Sequence, residues 1–336
     1  GFTQPYFLGR RLTAGFDIFH IDNDYRRYSS YRSTQSGASI RAVWPMAEYA
    51  SLSVFYRYLK EEISSYFFQS GYNLADDYNA NKSEIGYSYV IDTRDDPIDT
   101  TRGWTFSFGQ DIAGLGGDSE YIRSSLGGRY YYEIARDWVL SAGANAGYIY
   151  NYGSKDLRIN DRFFKGGNTF RGFDRAGVGP KEKITDRPRG AEFFAIGTLE
   201  VTVPLGLPDE FGLRTALFTD FGIIGKNDDE DRVLNTYRAQ ELMGDISSPF
   251  YNLSGLLNEN YSAIDAACRN DSAGLNEIYG TLCTRFVDDA TFRATVGVTL
   301  NWNSPFGPIR FDIGRAVVSE DYDDAKFFRF SGGTRF

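Results

Sequence analysis

The chain has 336 residues, and 45 acidic against 36 basic side chains leave a net charge of −9. That balance argues against a phosphate-binding surface, so no nucleic-acid partner is expected. No run of about 18 uncharged apolar residues occurs, which excludes a transmembrane helix. It does not exclude a transmembrane barrel, whose strands alternate lipid-facing and lumen-facing residues.

The 24 Tyr, 27 Phe and 36 Gly, against 10 Pro, suit strands and tight turns. Apolar and polar residues alternate with period two in twelve segments, near 9–22, 36–44, 49–61, 82–93, 103–113, 120–134, 137–151, 190–203, 211–224, 291–302, 308–319 and 326–336. Many exceed the roughly 5–6 residues of an ordinary soluble strand. They match the roughly 9–11 residues that a tilted strand needs to cross a bilayer.

In chain order, the first strand holds His20, the only histidine. A pore-lining or packed position is the plain reading. Hydrolytic triads and most zinc sites need histidine with defined partners, and no G-x-S-x-G elbow is present. Neither catalysis, nor a metal, nor a cofactor is expected. Further on, Trp104, Phe106 and Phe108 alternate with Thr105, Ser107 and Gly109. Gly114-Leu115-Gly116-Gly117 lacks dinucleotide-fingerprint spacing and reads as a hairpin turn.

The connection 153–190 is charged and glycine-rich, and it shows no sustained alternation. At its centre Arg171 stands between Phe170 and Gly172-Phe173. Glycines let such a loop fold back close to other backbone. A guanidinium there offers a rigid fork that seeks a carboxylate. If the loop turns inward, Asp220 is the best partner, since it alternates with Arg214, Ala216, Phe218 and Gly222 on the more polar face of 211–224. An exposed loop is the competing reading, and the residues alone do not separate the two.

The other long connection, 225–290, carries the acidic run Asp228–Asp231, read as a solvated loop, and a helix-like piece, Tyr237–Met243. It also holds both cysteines. Cys268 and Cys283 suggest a disulfide and an oxidising compartment, with two free thiols as the alternative. Short connections, such as Pro204–Pro208 and Asn301–Pro308, alternate with long ones.

The faces argue for the fold class. Polar faces carry Gly, Ser, Thr and single charges, as a wet or tightly packed lumen would. Apolar faces end in Trp, Tyr and Phe, as an interfacial girdle would. The fold class is therefore all-β, a transmembrane antiparallel β-barrel, in preference to a soluble β protein.

Several motifs resemble the BamA-type family of outer-membrane assembly factors. Phe170-Arg171-Gly172-Phe173 resembles its [VI]-R-G-[FY] tetrad, with Phe170 departing from the usual Val or Ile. Phe218-Thr219-Asp220-Phe221-Gly222 resembles its F-x-D-x-G wall motif. Asp92–Pro97 with Thr101-Arg102-Gly103 resembles its periplasmic turn. Ser304–Pro308 resembles the turn before the penultimate strand, and Phe328–Phe336 resembles the terminal strand. Shared order and spacing make the set specific.

The resemblance implies a C-terminal sixteen-strand transmembrane barrel behind periplasmic POTRA domains, of which about twelve strands fall within residues 1–336. The first strands and the POTRA domains would precede Gly1. The 153–190 loop would fold into the lumen, and 225–290 would be extracellular. The implied function is insertion of β-barrel proteins into the bacterial outer membrane at a weak seam. Terminal-strand residues Phe328, Phe330, Gly332, Gly333 and Phe336 would form this chain's half of that seam. The partners implied are unfolded outer-membrane clients, accessory BAM lipoproteins and the lipid bilayer. A two-partner secretion pore of the same superfamily, or a passive porin, is the alternative.

Overall fold

A computed structural model describes residues 1–24, 31–65, 78–97, 99–153, 157–182, 187–207, 211–225, 232–234, 283–287, 290–304 and 307–332. The main sheet uses β1 (Phe2–Gln4), β2 (Thr13–Asp24), β3 (Tyr31–Ala47), β4 (Ala50–Ser65), β5 (Tyr78–Asp92), β6 (Gly103–Ala113), β7 (Tyr121–Ala135) and β8 (Trp138–Asn151). The two short strands β9 (Lys181–Glu182) and β10 (Arg187–Pro188) follow, then β11 (Phe193–Val203) and β12 (Leu213–Gly225). After β13 (Arg232–Leu234) and β14 (Cys283–Val287), β15 (Phe292–Ser304), β16 (Gly307–Val318) and β17 (Phe328–Gly332) complete the chain.

Among the described residues, thirteen strands form one sheet in the order β1 to β8, β11, β12, β15, β16, β17, and every ladder is antiparallel. Each of the twelve alternating segments corresponds to a strand. The thirteenth, β1, is only three residues long, too short for alternation to show. Strands β9, β10, β13 and β14 make a separate small sheet within the two long connections. Among the described residues β1 and β17 are edges, and no ladder joins them.

The burial of the faces is the reverse of a soluble sheet. On β15, Arg293, Thr295 and Thr299 are 0% exposed, whereas Phe292 and Val296 on the opposite face are 52% and 48% exposed. On β12, Phe218 and Asp220 are buried while Leu217 is exposed. Hydrocarbon can cover the exposed apolar face, and the polar face must find partners inside. His20 corrects the pore-lining or packed reading. It is exposed, shares its face with exposed Phe16 and Ile18, and its Nδ1 lies 2.8 Å from Ser36 Oγ. Two-residue alternation puts it on the outward face with Phe16 and Ile18.

All connections of one end are short. The 93–102 connection is organised by Asp95, which accepts from Thr101 Oγ1 at 2.5 Å, Thr101 N at 3.0 Å and Arg102 N at 3.1 Å. Arg94 grips Asp92 through Nε and Nη2, and Arg102 pairs with Glu133 at 2.8 Å. Asp99 pairs with Arg214 at the start of β12. Thr101's hydroxyl and the surrounding amides hold the Asp95 carboxyl below the ordinary 3.8. A depressed carboxylate contributes stability above its unfolded value and loses it as pH falls through the folded one. The Thr101 amide should therefore stay protected from neutral pH down to about pH 4 and loosen only in stronger acid. Amide exchange against pH checks this, and Asp95→Asn should remove the dependence.

All four tryptophans sit near that short-connection end. Trp44, Trp104, Trp138 and Trp302 are each 37–41% exposed. Indole favours the headgroup level, with its ring in the apolar boundary and its N–H near water. In bilayers, their fluorescence should be quenched strongly by lipids brominated near the headgroup and weakly by lipids brominated at the chain ends. Stronger quenching from the chain ends would contradict an interfacial ring of indoles.

Candidate functional site

The 152–192 connection turns back along the polar face of the sheet. Asn160 Nδ2 donates to Ser33 Oγ on β3 and to Glu61 Oε1 on β4, at 2.8 and 2.7 Å. Twelve residues later, Gly172 meets β16, where a Cβ on Gly314 would lie 3.3 Å from the Gly172 backbone. In a flat sheet β3 and β16 would stand about 43 Å apart, nine spacings of about 4.8 Å. A fully extended twelve-residue chain barely reaches that far, and two 3-10 turns, Ile159–Asp161 and Gly167–Thr169, lie on or within the span. The sheet therefore curls around the loop.

Arg171 is at the centre. It is 4% exposed and Asp220 is 2% exposed. Its Nε donates to Asp220 Oδ2 at 2.8 Å and its Nη2 to Oδ1 at 2.7 Å, a bidentate fork. The Arg171 backbone N–H adds a third bond to Oδ2 at 3.0 Å. Nη1 donates to Glu200 Oε2 on β11 at 2.6 Å. Thr198 Oγ1 donates to Asp220 Oδ1 at 2.9 Å. The guanidinium carbon lies 3.6 Å from the centre of the Phe218 ring, within cation–π range. Burial disfavours the charge, but Asp220 and Glu200 outweigh it and raise the guanidinium pKa.

The flanking aromatics have a separate task. Phe170 and Phe173 are fully buried, and their rings meet edge to face at 5.2 Å. They pack with Val178, Ala191, Phe194, Ile196 and Ile224 into an apolar cluster between loop and wall. Gly172 adopts φ +86°, and a Cβ there would come within 2.9 Å of Thr295 Cγ2. Only glycine fits at no cost. The tetrad thus directs two rings into a small core and one cation into the wall. Beside it, Lys165 Nζ lies 3.6 Å from the Phe194 ring centre, and burial pushes this amine down to about 8.

A second anchor lies at the other end of the loop. Lys82 Nζ donates to Asp161 Oδ1 at 2.5 Å, and Tyr121 Oη donates to Asp161 and to Glu84, both at 3.2 Å. Glu84, whose side chain is 0% exposed, also binds Arg57 at 2.5 Å. Neither this cluster nor Glu200 was singled out by the sequence reading. The signal for Glu200 was available, because it alternates with Phe194, Ile196 and Thr198 on the inward face of β11.

On the terminal strand, Phe328 and Phe330 are exposed and pair with Ile313 and Phe311, while Gly332 pairs with Ile309. Gly333 and Phe336 lie outside the described residues, as do Cys268 and most of 225–290. Cys283 lies in β14, and the pairing of the two cysteines is likewise outside the described residues.

This arrangement has known relatives. The model of the Omp85 superfamily domain matches residues 1–336. The chain belongs to the Omp85 superfamily. It is 28% identical over 249 residues to the outer membrane protein assembly factor BamA of Neorickettsia risticii, covering 74% of this chain and 26% of that protein. It is 24% identical over 371 aligned residues to the same factor of Neisseria meningitidis serogroup B, covering 100% of this chain and 41% of that protein. The chain thus spans less than half the length of either relative. A crystal structure of BamA from Haemophilus ducreyi lacking POTRA domains 1-3 superposes with a TM-score of 0.72 at 18% identity, covering 98% of this chain and 60% of that one. That likeness supports the barrel fold.

Removing one member of a buried ion pair strands the others, at a cost of about 3–5 kcal/mol. Arg171→Ala should therefore lower the denaturant midpoint and open 153–190 to protease. Arg171→Lys should recover only part, because an ammonium cannot reproduce the fork. An unchanged midpoint and an intact loop in Arg171→Ala would contradict a structural role for the pair.

Proposed function

We propose that this chain is the C-terminal barrel portion of a factor that inserts β-barrel proteins into the bacterial outer membrane. The observation that carries the reading is the polar-inward sheet curled over the Arg171-anchored 152–192 connection, in a member of the Omp85 superfamily. Relatives named as outer membrane protein assembly factors support it. POTRA domains and the first barrel strands would belong to the parent protein. The short connections would face the periplasm, and 225–290 would face outward.

The mechanism follows from unpaired backbone. Lipid offers no hydrogen bonds to an open strand edge. A client strand that pairs with β17 supplies them by β-augmentation. Among the described residues the β17 ladder to β16 includes Phe328 to Gly332, and Gly332 adds no cross-strand side-chain contact there. Exposed Phe328 and Phe330 would lie against lipid at this seam. The Arg171 clamp keeps the neighbouring wall rigid while the seam exchanges partners. Clients would be unfolded outer-membrane proteins, and accessory BAM lipoproteins would act beside the POTRA domains. Pairing and insertion require no covalent step.

The test uses the full-length parent in liposomes. The folding rate of an unrelated unfolded outer-membrane protein is followed with wild type and with Arg171→Ala. Wild type should accelerate folding, and the substitution should remove most of the acceleration. Steady ion conductance with no acceleration in either protein would favour a pore instead.

A further inference from the structure

The connection from β16 to β17, residues 319–327, folds inward and is stitched to the lumen loop. Asp174 N donates to Asp324 O at 2.8 Å, Asp324 N donates to Gly177 O at 2.9 Å, and Lys326 N donates to Gly172 O at 2.9 Å. Phe173 and Ala325 form an antiparallel bridge between them. Two charge pairs cross the same join. Lys326 Nζ reaches both Asp174 oxygens at 3.0 and 2.9 Å, and Lys181 Nζ reaches Asp324 Oδ2 at 2.6 Å. Arg293 holds the start of the segment through Asp323 at 3.0 Å and the Tyr322 hydroxyl at 2.8 Å.

The placement gives these contacts a direction. Gly172 follows Arg171, which is locked to Asp220 and Glu200. Lys326 precedes Phe328, the first residue of β17, by two positions. The next residue, Phe327, accepts from Gly314 N at 2.9 Å and so joins the ladder. A rigid path therefore runs from the wall through Arg171 and Gly172 to Lys326 and into the terminal strand. A Cβ added to Gly167 would lie 2.5 Å from Arg329 Nη1, so the loop also closes on the strand itself.

We propose that this clasp sets the position of the terminal strand, with Asp174 and Lys326 as positioning residues. The lumen loop then acts on the seam strand directly, besides bracing the wall next to it. The inference concerns the chain's own mechanics, so it stands or falls apart from client insertion.

The experiment follows amide exchange of 328–332 by mass spectrometry in the full-length protein in nanodiscs, with no client present. Asp174 and Lys326 are partly exposed, so their variants should fold. Lys326→Asp and Asp174→Lys should each speed exchange several-fold in 328–332. The combined swap, Asp174→Lys with Lys326→Asp, should restore it. Arg171→Ala should speed the same amides in the otherwise native protein and add little once Lys326→Asp has opened the clasp. Unchanged exchange in both single variants would overturn the proposal. Fast exchange that the swap fails to slow would overturn it too, as would full additivity with Arg171→Ala.

Discussion

Hydrocarbon cannot hydrogen-bond, and that constraint shapes everything else in this chain. The backbone meets it with antiparallel ladders, and the side chains meet it by sorting. Apolar residues point outward, so polar ones collect on the inner face. Residues that a soluble sheet would leave in water are here buried: Arg293, Thr295 and Thr299 on β15, Asp220 on β12, Glu84 on β5. Buried charges must be paired, or they cost more than the fold can bear. The inner face therefore needs partners that the strands alone do not supply.

The 152–192 connection supplies many of them. At one end Asn160 and Asp161 bind Ser33, Glu61, Lys82 and Tyr121, from β3, β4, β5 and β7. In its centre Arg171 binds β11 and β12. Near its far end Lys181 binds the β16–β17 connection. The loop is thus a tie across the sheet, and its glycines are the means. A side chain at Gly172 would collide with Thr295 and push Arg171 out of reach of Asp220. The fork geometry and the apolar seat of Phe170 and Phe173 select the same loop conformation.

Much of this was legible in the sequence because it is periodic. Alternation marks a strand and also says which residues share a face. That is why Asp220 could be chosen as a partner for Arg171 before any coordinates, by its register with Ala216, Phe218 and Gly222. Alternation also separated Trp302 from Asn301 and so marked the outward face. It failed where length was short, as in β1, and at His20, where a polar residue occupies an outward position and hydropathy pointed the wrong way. The ties that join irregular segments carry no period at all. Asp174 and Lys326 are 152 positions apart, and nothing in either neighbourhood names the other.

The ties differ in what they resist. The Asp161 and Arg171 anchors are deeply buried and join loop to wall, so opening them strands buried charge. The Asp174–Lys326 pair is 34% and 46% exposed, so water readily replaces it. The ties are thus graded, from buried anchors on the wall to a partly exposed pair beside the terminal strand. The strong contacts hold the loop in place at all times. The exposed Asp174–Lys326 pair, the Lys181–Asp324 pair with its buried amine, and three backbone hydrogen bonds hold the segment before the terminal strand to the loop. Loss of the exposed pair would leave the inner wall's charges paired through Asp220, Glu200 and Asp161.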